Sequence, residues 1–238
     1  MRLDKLLSEI GLGSRKTVKR LIRSKQVSVN GKLVIEDSAN VDPQIQEIVV
    51  SGKRVEYQPH AYYMLNKPGG VVSAVEDKMN QTVIDLIKEP DRLPGLYPVG
   101  RLDKDTEGLL LITNNGNLGY QLLLPHKHVV KKYEVIVNER VASADQEAFA
   151  KGIVFHGGIQ CKPAKLTILE ASETESKVLV EINEGKFHQV KKMFLACGKK
   201  VTSLKRLSMG PIELDEKLPA GAYRPLSIEE LNQLIPYF

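Results

Sequence analysis

The centre of the chain reads GRLDKDTEGLLLIT over residues 100–113, a charged, turn-like segment that runs directly into an apolar segment. The apolar half, from Gly108 to Thr113, predicts a buried strand. Asp103 lies just ahead of that strand, and Arg101 lies two residues before it. Because a carboxylate is costly to desolvate unless it has a partner, this junction is where we expect chemistry. From its position alone, Asp103 fits equally well as a turn residue that caps backbone amides.

Short strands and helices alternate on both sides of this stretch. Alternating or continuous apolar residues predict strands over 62–66, 132–137 and 178–182. The apolar spacing within residues 190–197 predicts a helix that Gly198 closes. The fold class we expect is α+β, with a mixed, largely antiparallel sheet flanked by helices.

The first 58 residues have a different organisation, which we interpret as two helices followed by a hairpin. Apolar residues at helical spacing predict a helix over 3–10, and Ser14 is placed to cap a second one. The pair Asn30-Gly31 separates two alternating runs, which is a strong hairpin signal. Within residues 2–32, nine basic residues stand against two acidic ones. This excess of positive charge favours a polyanionic partner.

Composition excludes several classes of protein. The 238 residues carry a formal net charge of +5, and the longest apolar runs are too short to span a membrane. The two cysteines, Cys161 and Cys197, are too few for a disulfide framework or a zinc cluster. The N-terminal segment is amphipathic rather than signal-like. We therefore expect a cytoplasmic protein.

The N-terminal pattern resembles the S4 RNA-binding domain. The resemblance rests on RLDKLL from residue 2, the pair Ser14-Arg15, and QVSVNGK from residue 26. It implies a small α/β RNA-binding domain over residues 1–58, with 58–60 as the linker, whose helix pair presents basic side chains to structured RNA. The RNA-binding residues expected on this basis are Arg2, Lys5, Arg15, Lys16, Lys19, Arg20, Arg23 and Lys32.

The rest of the chain resembles the pseudouridine synthases. Four motifs occur in the order of that family: NKPGG at 66–70, GRLDKDTEGLL at 100–110, KYEV at 132–135 and EGKFHQVKKMF at 184–194. They are most similar to the ribosomal small-subunit branch, which also carries an N-terminal S4 domain. The segment LPAGAYRPL at 218–226 resembles the same branch. The resemblance implies a catalytic domain over residues 59–238.

In that family, uridine is isomerised to pseudouridine. The resemblance assigns Asp103 as the catalytic aspartate that acts as nucleophile on a flipped-out target nucleoside. Whether it attacks the base, attacks the sugar carbon or removes a sugar proton stays open. The reaction is an intramolecular rearrangement, so no cofactor and no metal are implied.

The remaining site residues are also assigned by the resemblance. Tyr133 matches the active-site tyrosine, whose ring would stack on the flipped uracil while its hydroxyl assists proton removal from C5. Lys191 takes the place of the basic partner of the aspartate, where many relatives have arginine. Arg101 matches the arginine that fills the space left by the extruded base. His188 and Gln189, at the start of the motif helix, are expected to contact RNA.

The resemblance implies ribosomal RNA as the partner, with uridine 516 of 16S rRNA as the target. The RNA would be free or part of a pre-ribosomal small-subunit particle, and we expect a monomer that needs no membrane. Two alternatives stay open: a 23S rRNA target, and a non-catalytic rRNA-binding or ribosome-assembly factor. The joint presence of Asp103, Tyr133 and Lys191 argues against the non-catalytic alternative.

Overall fold

A computed structural model describes residues 1–57, 60–155 and 157–237. The chain divides into two compact units. The first comprises the described residues of Met1–Ala61, Asn115–Leu118 and Ser227–Phe238, and the second comprises those of Tyr62–Asn114 and Gly119–Leu226. Residues 58 and 59, which carry the predicted domain boundary and most of the predicted linker, lie outside the described residues, so that boundary stays a prediction.

The first unit begins with two helices and a small sheet. Its elements are α1 (Leu3–Glu9), α2 (Arg15–Arg23), β1 (Val27–Val29), β2 (Lys32–Leu33), β3 (Ile48–Val50) and β4 (Lys53–Arg54). Ser14 caps α2 by accepting a hydrogen bond from the Thr17 amide at 3.3 Å. The four strands form an antiparallel sheet in the order β2-β1-β3-β4, and the hairpin between β1 and β2 turns at Asn30-Gly31. Apolar residues of both helices and of the sheet form one buried core.

The rest of the chain alternates strands and helices. In order they are β5 (Tyr62–Lys67), β6 (Tyr97–Pro98), β7 (Glu107–Thr113), α3 (Gly116–Leu123), β8 (Lys131–Val137), α4 (Ser143–Lys151), β9 (Lys165–Ala171), β10 (Ser176–Ile182), α5 (Gln189–Ala196), β11 (Val201–Met209), β12 (Ile212–Glu213), β13 (Tyr223–Pro225) and α6 (Ile228–Gln233). Short 3₁₀ helices follow α3 and α6. The longest helices, α2 and α4, have nine residues each. None within the described ranges is long and apolar enough to cross a membrane.

A nine-stranded sheet forms the centre of the second unit. Its order is β13-β5-β7-β11-β8-β10-β9, with β6 paired to β7 and β12 paired to β11. The pair β7–β11 is parallel and the other pairs are antiparallel. Strand β5 is buried along its whole length, whereas buried residues alternate along β10, as expected for a strand with one open face. The α+β class with a mixed, largely antiparallel sheet is confirmed.

Gly108 allows strands β7 and β11 to approach each other next to the Asp103 loop. Its φ is +97°, and a Cβ at this position would lie 2.3 Å from the Arg206 carbonyl oxygen. A larger residue therefore does not fit without moving a backbone. The Arg206 Nε–H also donates a hydrogen bond to the Leu109 carbonyl at 2.8 Å. The glycine of the central motif thus anchors the loop before it to the middle of the sheet.

Candidate active site

A buried lysine holds the loop that carries Asp103. Lys67, at the end of β5, has no solvent exposure, and its ammonium donates hydrogen bonds to three backbone carbonyls. The distances are 3.0 Å to Pro68, 3.1 Å to Lys104 and 2.7 Å to Thr106. Desolvation lowers the pKa of Lys67 to about 8, and the nearby carboxylates only partly offset this effect. Two of the three carbonyls lie on the C-terminal side of Asp103, so Lys67 fixes that half of the loop.

The other half of the loop is held by Ser73. Its hydroxyl accepts a hydrogen bond from the Leu102 amide at 3.1 Å and donates to the Leu102 carbonyl at 2.9 Å. The Gly70 amide adds a bond to the Lys104 carbonyl at 2.8 Å. The backbone is therefore clamped on both sides of Asp103, which restricts where its carboxylate can point.

Helix α5 supplies the cation of the site. The Lys191 ammonium lies 3.1 Å from Asp103 Oδ2 and 2.6 Å from Asp105 Oδ1. Burial alone would lower the pKa of Lys191, but hydrogen bonds and charge from both aspartates outweigh it and raise that pKa. The hydrogen bond from Lys191 lowers the pKa of Asp105. The side chain of Asp105 is 76% exposed and that of Asp103 is 26% exposed, so the two acids share a cation but differ in their access to solvent.

The start of α5 turns back toward Asp103. His188 precedes the helix in a left-handed conformation with φ of +54°, and its Nε2 lies 3.5 Å from Asp103 Oδ1. Gln189, by contrast, is buried. Its amide group donates to Glu184 Oε1 at 2.8 Å and accepts from the Lys186 backbone N–H at 2.9 Å. In this structure Gln189 stabilises the turn, and a contact of Gln189 with RNA stays a prediction.

Asp103 borders a small cavity of about 100 Å³. Arg101, Thr106 and Tyr133 line the same cavity. Tyr133 is 9% exposed and reaches the cavity from strand β8, whereas Arg101 is an exposed residue of the loop. The hydroxyl of Thr106 is buried without a hydrogen-bond partner among the described residues. The structure therefore brings the four predicted catalytic residues together, three around the cavity and Lys191 against Asp103.

The predicted RNA-binding residues of the first unit fall into two groups. Arg2, Lys19 and Arg23 form ion pairs with Asp4 and Asp37, and Lys5 pairs with Glu9. The hydrogen bond from Arg2 lowers the pKa of Asp4. The second group is exposed and makes no ion pair within the described part of the chain; its members are Arg15, Lys16, Arg20 and Lys32.

Four residues of the site have roles that the sequence did not predict: Lys67, Ser73, Asp105 and Arg206. The signal for Lys67 is a lysine at the end of a mostly apolar strand, inside the motif NKPGG. Asp105 had no signal, because only the tertiary packing of α5 brings Lys191 to it. No group of three or more His, Cys, Asp or Glu side chains within the described ranges is arranged to hold a metal ion.

Comparisons with known proteins identify the family of this chain. The family model described as RNA pseudouridylate synthase matches residues 61–196, and that of the S4 domain matches residues 1–44. An uncharacterized RNA pseudouridine synthase of Bacillus subtilis is 46% identical over 98% of this chain and 98% of its own length. The ribosomal small subunit pseudouridine synthase A of Escherichia coli is 37% identical, over 99% and 100%. A crystal structure of a pseudouridylate synthase superposes with a TM-score of 0.69 at 35% identity, covering 99% of this chain and 100% of the other. The chain therefore belongs to the RNA pseudouridylate synthase family and carries an N-terminal S4 domain.

Proposed function

We propose that this protein isomerises one uridine of ribosomal RNA to pseudouridine, that the target is uridine 516 of 16S rRNA, and that Asp103 is the nucleophile. Relatives that span the full chain at 36% to 39% identity are named ribosomal small subunit pseudouridine synthase A, which supports the choice of RNA. The same proposal places the protein in the cytoplasm as a monomer, with free 16S rRNA or a pre-ribosomal small-subunit particle as partner.

One observation carries the catalytic part of the proposal. A partly exposed carboxylate, Asp103, is clamped by its backbone at the edge of a cavity and has an ammonium at 3.1 Å. A nucleophile needs this combination of a fixed position, a compensating charge and access to the substrate. Asp105 has the charge and the access, but it does not border the cavity.

The reaction assigns a task to each side chain. The bond between uracil N1 and ribose C1′ breaks, the base rotates, and a bond forms between C5 and C1′. The C5 proton leaves and N1 ends with a proton, so no atom is gained or lost. In our proposal Asp103 attacks the nucleoside, and the bond that it forms is broken again before the product leaves, so the carboxylate is regenerated. Lys191 compensates the carboxylate charge, and Tyr133 packs on the uracil and assists the removal of the C5 proton.

A target inside a folded RNA must leave its stack before it can enter the cavity. Extrusion of a base costs a few kcal/mol. Arg101, exposed at the rim of the cavity, would take the place of the base and offset part of this cost by stacking its planar guanidinium on the neighbouring bases. The exposed basic residues of the first unit would dock the surrounding RNA.

The test is to incubate the full-length protein with unmodified 16S and 23S rRNA and with small-subunit assembly particles, and to map pseudouridine by carbodiimide treatment and primer extension. We expect a single modified position, uridine 516, in 16S rRNA. Asp103→Asn should bind RNA with nearly unchanged affinity and form no product.

Each other outcome removes a defined part of the proposal. Modification of 23S rRNA alone would overturn the small-subunit target. Full conversion by Asp103→Asn would overturn the role of Asp103. Tight RNA binding without product in any of the three substrates would point to a non-catalytic rRNA-binding protein.

A further inference from the structure

An aromatic side chain beside the site is left open to solvent. Phe187 is 67% exposed, although it directly precedes His188. Its ring stacks on the His188 ring, with a distance of 3.7 Å between centroids and an angle of 22° between planes. The His188 ring in turn lies against Asp103. The two rings therefore form a stack that runs from Asp103 to solvent and ends in the Phe187 ring.

The side chain of Lys192 places a positive charge beside the Phe187 ring. The ammonium of Lys192 lies 4.9 Å from the centroid of the Phe187 ring. Lys192 forms no ion pair with any residue in the described ranges, so its charge remains available to a ligand. Lysine has a long, flexible stem, and its ammonium can move from a ring to a nearby phosphate. An exposed aromatic ring beside a cation is the combination that single-stranded nucleic acid binds, by stacking its bases and neutralising its phosphates.

Phe187 lies in a groove that continues from the catalytic loop. The groove has a volume of about 470 Å³, and Arg101, Asp103 and His188 line it as well. Ser73 and Asp77 also line the groove. The Asp77 carboxylate accepts hydrogen bonds from the amides of residues 79 and 80, so it is already occupied by the protein. A strand whose target uridine faces Asp103 would pass through this groove.

We propose that Phe187 is the stacking platform for an unpaired nucleotide next to the target uridine, with Lys192 compensating the phosphate charge of the same strand. This inference rests on the proposed function, because it needs an RNA strand at the site. Stacking uses the face common to all bases, so the platform would accept any of the four bases and fix the position of the strand rather than its sequence.

The chain contains no tryptophan, which makes a direct test available. Phe187→Trp introduces a single indole whose fluorescence is quenched when a base stacks on it. The probe is an RNA heptamer with one central uridine between adenines, compared with a heptamer of equal charge in which the adenines that flank the uridine are abasic. We expect strong quenching by the first RNA and little quenching by the second, with binding of both followed by anisotropy of an end label.

Leu195→Trp is the matched control, because Leu195 lies on α5, the helix that follows Phe187, is also 67% exposed and does not line the groove. Its fluorescence should change with neither RNA. Phe187→Ala should raise the Kd of the adenine heptamer by about tenfold, and Phe187→Tyr should restore it. The proposal is wrong if Phe187→Trp is quenched by neither RNA or equally by both, or if Phe187→Ala leaves the Kd unchanged.

The readout does not require turnover. If Phe187→Trp is quenched by the flanking base but no rRNA is modified, the stacking site stands and the proposed enzymatic function fails. If pseudouridine forms in rRNA and the indole is not quenched, the function stands and the stacking site fails.

Discussion

Each of the two units of the molecule contains a cluster of ion pairs. Cations outnumber acids in the cluster of the first unit, and acids outnumber cations in that of the second. The N-terminal cluster consists of Arg2, Lys19, Arg23, Asp4 and Asp37. The Lys191 cluster consists of one lysine between Asp103 and Asp105. In the N-terminal cluster the acids are enclosed, with side chains 3% and 14% exposed, and the cations are outside. In the Lys191 cluster the lysine and Asp103 are almost equally exposed, at 25% and 26%, and Asp105 is 76% exposed, so both acids reach solvent.

The difference in exposure distinguishes carboxylates that serve the fold from carboxylates that can react with a substrate. An enclosed carboxylate that is paired with cations of the protein serves the fold, because removing its partner would leave a buried charge uncompensated, and it is not available to a ligand. A carboxylate that borders a cavity and shares its lysine partner with a second acid can act on a substrate. The same comparison shows that basic residues counted from sequence overestimate the charge free for RNA, because four of those predicted in the first unit are already paired.

The largest expected effect is that of breaking the Lys191 cluster. Lys191→Met leaves Asp103 and Asp105 close together without their cation, so the reactive carboxylate loses both its position and its compensating charge. We expect the rate of pseudouridine formation to fall by about 100-fold. The measurement is single-turnover release of tritium from RNA labelled at uridine C5, since that proton leaves in the reaction.

Lys191→Arg provides the control, because it keeps the positive charge while changing the geometry of the contact. Its rate should stay within about tenfold of the wild-type rate. A Lys191→Met protein that reacts at the wild-type rate would show that the ion pair serves only the fold, and the contrast between the two clusters would disappear.

The second prediction concerns the basic residues of the first unit that form no ion pair within the described ranges. Replacing the unpaired residues Arg15, Lys16 and Arg20 by alanine should weaken RNA binding by about tenfold or more at moderate salt. The slope of log K against log salt concentration should fall by about 2, because three phosphate contacts are lost. Filter binding over a series of salt concentrations measures both quantities.

A second triple variant removes the same formal charge from the N-terminal cluster, with alanine at 2, 19 and 23. These residues are already bound to Asp4 and Asp37, so we expect a smaller change in salt slope and a lower unfolding midpoint. Equal losses of slope in both variants would mean that net charge, rather than pairing, decides which side chains meet RNA.

The third prediction concerns the pH dependence of stability in the N-terminal cluster. The hydrogen bond from Arg2 holds the pKa of Asp4 below its usual value. A depressed carboxyl pKa stabilises the fold above the unfolded pKa of about 3.9, and this contribution is lost as the pH falls through the folded value. Asp4→Asn should therefore cost about 1 kcal/mol at pH 7, and the difference should vanish in acid.

Urea unfolding followed by circular dichroism, repeated from neutral to acidic pH, measures that difference. Glu47→Gln is the control, because Glu47 is exposed and makes no ion pair within the described ranges. A difference between Asp4→Asn and the wild type that persists unchanged at low pH would show that the charge of Asp4 is not what stabilises the cluster.

Much of the fold follows from local patterns in the sequence. The apolar run after Gly108 predicts β7, the pair Asn30-Gly31 predicts the first hairpin, and Ser14 predicts the start of α2. Each is a consequence of side-chain periodicity or of backbone conformations that few residues adopt. The parallel pairing of β7 with β11 is not local, since it joins residues about 100 positions apart, and Gly108 permits the close approach of the two strands there.

Some residues of the candidate site could be predicted from the sequence, and others could not. Asp103, Tyr133, Arg101 and Lys191 could be selected because they lie in motifs, and the structure places them together. Lys67 was present in a motif, but its role depends on which carbonyls surround a buried ammonium. That information comes from tertiary packing and not from residue spacing.

The smallest expected effect is that of replacing Asp105, and it tests whether the two acids of the Lys191 cluster have different roles. Asp105→Asn removes the closer of the two carboxylates, so the Lys191 ammonium can move fully onto Asp103. Because Asp105 helps to raise the pKa of Lys191, that pKa should fall, and the alkaline limb of the rate profile should move to lower pH. At neutral pH the lysine stays protonated, so the rate should change by less than about threefold.

Single-turnover rates from pH 6 to pH 11 would show both effects. A loss as large as that of Lys191→Met would mean that Asp105 takes part in the chemistry, and the assignment of Asp103 as the only reactive acid would have to be abandoned.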